Sequence, residues 1–107
     1  MSNTLITLKD FYEHSQILGK NELILDVRNP DEFAAGHIKG AKNIPVTVVA
    51  QSAQELKGFE KVYIHCKRGG RANTAFEALK AQGLTNLVCL KEAGMDLWIE
   101  NGYPVEK

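Results

Sequence analysis

The chain has 107 residues, enough for one domain with a core of its own and too few for two. Hydrophobic residues make up 44% and charged residues 24%, which argues against disorder, and no apolar stretch approaches bilayer-spanning length. The 13 Lys and Arg balance 13 Asp and Glu, so neither a nucleic-acid binder nor a membrane-surface protein is expected, and any anion site has to come from a local cluster.

Leu5-Ile6 is a brief strand candidate. Thr7 offers an N-cap oxygen with Asp10 three residues on, and Leu8, Phe11, Tyr12, Ser15 and Leu18 recur at helical spacing until Gly19 stops the helix. Leu23-Ile24-Leu25-Asp26-Val27 is almost continuously apolar, as suits a strand covered on both faces of a parallel sheet. Asn29 caps and Pro30 opens a short helix with Asp31 and Glu32 in its first turn; Gly36 ends it. Ala41 to Ile44 reads as a strand stopped by Pro45. Val49, Ser52, Ala53 and Leu56 recur at i, i+3, i+4 and i+7, which predicts one helix over 46–57.

Val62-Tyr63-Ile64 is the next strand, and Cys66 to Gly70 is a loop. Ala72, Ala75, Phe76 and Leu79 give the inner face of a helix ended by Gly83. Leu87 to Leu90 is the last strand and Met95 to Glu100 the last helix, terminated by Asn101-Gly102-Tyr103-Pro104. Strands alternating with helices predict an α/β fold: one parallel sheet with helices on both faces. Ligands of such sheets bind beyond the carboxyl ends of the strands, and Cys66 lies at such an end.

Three physical facts converge on Cys66. It sits in a tight turn just before a helix N-terminus, where unpaired amides and the helix dipole favour an anion. Lys67, Arg68 and Arg71 surround it with positive charge, and cations and helix N-termini both favour a thiolate. Gly69 and Gly70 permit consecutive amides to point inward as an anion nest. A buried structural cysteine needs none of these neighbours.

The loop Cys66-Lys67-Arg68-Gly69-Gly70-Arg71 resembles the active-site loop of the rhodanese family, often Cys-x-x-Gly-x-Arg. Leu25-Asp26-Val27-Arg28, Glu32-Phe33 and Gly36-His37-Ile38-Lys39-Gly40-Ala41-Lys42-Asn43-Ile44-Pro45 resemble the family's other signature stretch. Glu92-Ala93-Gly94-Met95 and Trp98 resemble its Glu-Gly-Gly…Trp segment, with Ala93 where the family often has Gly.

The resemblance implies a rhodanese-like three-layer sandwich with a five-stranded parallel sheet, and a single-domain thiosulfate sulfurtransferase without a cofactor. Cys66 would take sulfane sulfur from a small donor such as thiosulfate and pass it, through a persulfide, to cyanide, a thiol or a protein acceptor. The amides of Lys67 through Arg71 would cradle the outer sulfur. Lys67 and Arg68 would dock the donor's anionic end, and Arg71 would close the loop, either as a further charge or as a structural group.

The remaining polar residues carry blander expectations. His65 neighbours Cys66 on a strand, so the two side chains point to opposite faces and His65 packs. His37 is expected to be a hydrogen-bonded structural residue and His14 to be solvated. No metal-ligand spacing appears, so no metal is expected. Asp26 is expected to pair locally with Arg28 or backbone amides rather than to support the loop, Glu92 to be a candidate neighbour of the site, Trp98 to be core or pocket wall, and Cys89 to be buried rather than to resolve Cys66.

Two rival readings accompany this one. A cysteine-dependent phosphatase or arsenate reductase shares the thiolate, nest and arginine, but its loop is longer than the four residues, Lys67 to Gly70, between Cys66 and Arg71 here. A protein-interaction module would not require Cys66 and its cations, and that reading survives as a persulfide carrier that hands sulfur to a specific partner. No signal peptide is read at the N-terminus, so a cytoplasmic setting is the expectation, as is a monomer.

Overall fold

A computed structural model of the chain describes residues 3–107 and sets the apolar runs of residues 23–27, 62–64 and 87–90 side by side in the middle of one sheet. Met1 and Ser2, which begin the stretch where no leader is expected, lie outside the described residues. The strands are β1 (Thr4–Leu5), β2 (Glu22–Asp26), β3 (Lys42–Asn43), β4 (Lys61–His65) and β5 (Leu87–Cys89). All pair in parallel in the order β1-β5-β4-β2-β3, as the alternation of elements predicts. The helices are α1 (Leu8–Gln16), α2 (Pro30–Ala35), α3 (Ala53–Lys57), α4 (Gly70–Ala81) and α5 (Met95–Glu100).

The period-two pleat divides the core into two layers. Leu25, Val27, Val62, Ile64, Cys66, Leu87 and Cys89 face one way and pack beneath α3 and α4, which contribute Leu56, Ala72, Ala75, Phe76 and Leu79. Ile24, Tyr63 and Val88 face the other way, against Phe11 of α1 and Met95 and Trp98 of α5. This is the expected three-layer arrangement, and it explains the nearly unbroken apolar runs: the central strands are covered on both sides. Trp98 is core, with its indole N–H donating to the Pro104 carbonyl at 2.8 Å.

Helix α4 ends as its sequence suggests. Gly83 takes φ +91°, its N–H donates to the Lys80 carbonyl, and that of Leu84 donates to the Leu79 carbonyl at 3.2 Å. That pairing is the Schellman motif, with Leu79 and Leu84 both buried beneath it.

The helix expected over 46–57 is shorter. Val46 donates to the Val27 carbonyl at 3.1 Å and Val48 to Pro45 at 3.0 Å; a 3-10 turn, Val49–Ser52, then precedes α3. The sheet has claimed the Val46 amide, so the apolar periodicity survives while its first turn is not helical. Strand boundaries move by a residue, as where β1 lies at Thr4–Leu5 rather than Leu5-Ile6 and β3 covers only the middle of Ala41–Ile44. In both places the bonding runs on beyond the strand, through Ile6 to Cys89 and Ile44 to Asp26, each at 3.0 Å.

Candidate active site

Cys66 is the first residue past β4. The pleat sends His65 toward Phe11, whose ring centroid lies 5.5 Å away, and Cys66 to the opposite face, toward α4. Sγ of Cys66 accepts hydrogen bonds from the backbone amides of Gly69, at 3.1 Å, and Ala72, at 3.2 Å. Of the amides expected to cradle sulfur, Gly69 therefore reaches Sγ itself, and Ala72 joins from just beyond the expected range. Gly70 and Arg71 open α4, where an amide has no carbonyl of the same helix to bond. Cys66, Lys67, Arg68, Gly70 and Arg71 line an open cavity of about 330 Å³, and Cys66 is only 1% exposed.

Two glycines make this packing possible. Gly69 has φ +113°, and a Cβ there would stand 1.6 Å from the carbonyl oxygen of Lys91. At Gly94 a Cβ would stand 2.2 Å from the carbonyl oxygen of Cys66. This close approach lets the amides of Met95 and Asp96, at the start of α5, donate to the carbonyls of Cys66, at 2.9 Å, and Lys67, at 3.2 Å. The loop is thus tied to α4 through sulfur and to α5 through its own carbonyls.

The three loop cations have different fates. Arg71 makes a two-pronged pair with Glu32 of α2, at 2.6 and 3.0 Å, so its guanidinium is structural rather than free for a donor. Arg71 holds the Glu32 carboxyl well down, to about 2, with help from the Asn29 amide; Glu32 in turn raises Arg71. Arg68 donates through Nε to Asp96 at 2.8 Å. Lys67 is exposed and forms no ion pair among the described residues.

Neither Glu32 nor Asp96 is singled out as a site residue by the sequence. They stand 39 and 28 residues from their partners. Only the adjacency of β2 and β4 brings the first turns of α2 and α4 to one edge, and strand order is not written locally.

The Glu32 pairing predicts a pH effect. The carboxyl is lowered from an ordinary 4.5, so its contribution is full above pH 4.5 and is lost as pH falls toward 2. Glu32→Gln is expected to cost about 1–2 kcal/mol at pH 6, discounted for partial exposure of the pair. Urea unfolding of both proteins should show that difference shrinking between pH 5 and pH 2.5; a constant difference would contradict the pairing.

The local pair expected for Asp26 is present and buried. Arg28 donates through Nε and Nη2 to the Asp26 carboxylate, at 2.7–3.1 Å, and through Nη2 to the Gly36 carbonyl at 2.8 Å. Asn43 Nδ2 bridges the Asp26 and Arg28 carbonyls at 2.9 Å each. The carboxylate lies 3.9 Å from His65 Nε2. Burial pushes the His65 imidazole down, outweighing the pull of Asp26, and neither ring nitrogen has a hydrogen-bond partner among the described residues. A neutral packing histidine on the far face from Cys66 is not its base.

Cys89 is fully buried, and burial pushes its thiol up to about 12. It stays protonated at neutral pH and is no resolving thiolate for Cys66. His37 stacks on Phe33 at 3.9 Å and places Nδ1 2.9 Å from its carbonyl; His14 is exposed. Glu92 is exposed, and its backbone rather than its carboxylate abuts Gly69. Among the described residues no three His, Cys, Asp or Glu converge as metal ligands, and no helix is long and apolar enough to cross a membrane.

Comparison with known proteins fits this geometry. The sequence pattern of the Rhodanese-like domain matches residues 9–101. "Uncharacterized protein YqhL" of Bacillus subtilis is 37% identical over 75 residues, 70% of this chain and 59% of that one, so the chain spans less than two thirds of that relative. A "Sulfurtransferase" of Allochromatium vinosum is 31% identical over 93 residues, covering 85% of this chain and 86% of its own. The crystal structure of a rhodanese-related protein from Thermoplasma volcanium superposes with a TM-score of 0.80 at 34% identity, over 96% of this chain and 97% of that one. With a match that takes in β2, the Cys66 loop and α5 together, the chain belongs to the family of rhodanese-like domains.

Proposed function

We propose that this protein is a sulfurtransferase in which Cys66 carries sulfane sulfur as a persulfide. The observation that carries the reading is Sγ at the floor of an open cavity, held by the amides of Gly69 and Ala72. Fixed dipoles aimed at a sulfur stabilise negative charge on it without reorganising. The Allochromatium relative, a sulfurtransferase by name, supports the same chemistry.

The Cys66 thiolate attacks the outer sulfur of thiosulfate, the S–S bond breaks, and sulfite leaves with the electron pair. Cyanide or a thiol then attacks the outer sulfur of the Cys66 persulfide. The thiolate returns as leaving group, and thiocyanate or a new persulfide departs. No cofactor is required, and a protein thiol can serve as the acceptor.

This two-step scheme makes a kinetic prediction. With thiosulfate and cyanide varied together, double-reciprocal plots of thiocyanate formation should be parallel, because donor product leaves before acceptor binds. Hydrolysis of a phosphoester that needs Cys66, with no thiocyanate formed, would transfer the assignment to the phosphatase class.

A further inference from the structure

Resting on that reading, we infer that Asp96 sets the donor preference of this site, favouring a singly charged persulfide over the thiosulfate dianion. The sequence offers three cations to an incoming anion. Arg71 is committed to Glu32 and Arg68 to Asp96, which leaves Lys67 as the one of these three without an ion pair among the described residues. Lys91 and Glu92, whose backbones abut Gly69, are both exposed and carry opposite charges. The cavity mouth is therefore much less positive than its sequence suggests.

Asp96 differs from an ordinary surface carboxylate in how it is placed. Its backbone amide donates to the Lys67 carbonyl at 3.2 Å, and the preceding amide, of Met95, donates to the Cys66 carbonyl. Its backbone is thereby fixed beside the loop, and the short side chain keeps the charge near it even when the exposed Arg68 side chain swings away. A dianion meets twice the repulsion that a monoanion meets from that charge, since the energy scales with the product of charges.

The favoured reaction balances without an oxidant or reductant. The persulfide monoanion, R–S–S⁻, docks and takes up one proton from water, and the Cys66 thiolate attacks the outer sulfur of the resulting R–S–SH. The S–S bond breaks, the alkyl thiolate leaves with the electron pair and takes up the persulfide's proton, and Cys66 retains the outer sulfur as a persulfide anion.

The test compares wild type, Asp96→Asn and Asp96→Glu, with thiosulfate and 2-hydroxyethyl persulfide as donors. Asp96→Asn should raise the ratio of kcat/KM for thiosulfate to that for the persulfide about threefold to tenfold at low salt. The gain should appear in KM for thiosulfate and fade as salt screens the rim. Asp96→Glu, which restores the charge, should return the ratio to wild type. An unchanged ratio in Asp96→Asn, or the same shift in Asp96→Glu, overturns the inference while leaving the sulfurtransferase reading intact. Failure of wild-type Cys66 to take sulfur from either donor overturns both.

Discussion

Cys66→Ser is expected to abolish sulfur transfer to cyanide, lowering kcat/KM on the order of 10⁴-fold or more, the scale seen when a covalent nucleophile is removed. Serine keeps the shape of the side chain, and its hydroxyl can accept from the same amides of Gly69 and Ala72. The folded state should therefore survive, with stability changed by about 1 kcal/mol or less. What is lost is chemical: an alcohol is not ionised at neutral pH and cannot form a persulfide. Cyanide-dependent thiocyanate release, measured alongside a urea unfolding curve, checks both halves. Residual turnover near the wild-type rate would remove Cys66 from the mechanism.

The second large effect is expected at Gly69. A methyl group there would overlap the Lys91 carbonyl at 1.6 Å, on a backbone whose φ of +113° already disfavours a side chain. Backbone stands on both sides of the clash, so the loop must open and the Gly69 amide leaves Sγ. Gly69→Ala should cost roughly 3 kcal/mol or more in stability and about 10²–10³ in rate, the latter comparable to losing an oxyanion-hole donor.

Gly70→Ala is the internal contrast. A Cβ at Gly70 meets nothing within 4 Å, and its φ is not positive. It should fold normally, and because the added methyl points into open space at the cavity it lines, activity should fall far less than at Gly69. Thermal melts and thiosulfate turnover of the two variants decide the matter; equal effects at both positions would contradict the loop geometry. The Gly-Gly pair reads as one feature in the sequence, yet only its first member is sterically required.

That contrast marks how far the sequence could be read. The central strands were legible because burial on both faces leaves runs such as Leu23–Val27 almost without polar interruption. Cys66 stood out because the features around it are local: a strand end, two glycines and three cations lie within a few residues. The packing of His65 and the burial of Cys89 followed from strand alternation and from the apolar run around Cys89.

What escaped the sequence depends on partners brought together from afar. The charge of Arg71 is cancelled by Glu32, and that of Arg68 by Asp96, through helices that the strand order places at one edge. The helix predicted over 46–57 lost its first turn for a related reason. Its periodicity is genuine, but Val27 across the sheet takes the Val46 amide.

The central claim is that Cys66 holds sulfur covalently, and intact mass tests it most directly. Reduced protein is incubated with excess thiosulfate, or with 2-hydroxyethyl persulfide, beside a Cys66→Ser control. The predicted result is a gain of one sulfur atom on the wild type, removed by cyanide and absent from the control. A wild type whose Cys66 is free to alkylate, yet gains no sulfur from either donor, would contradict it.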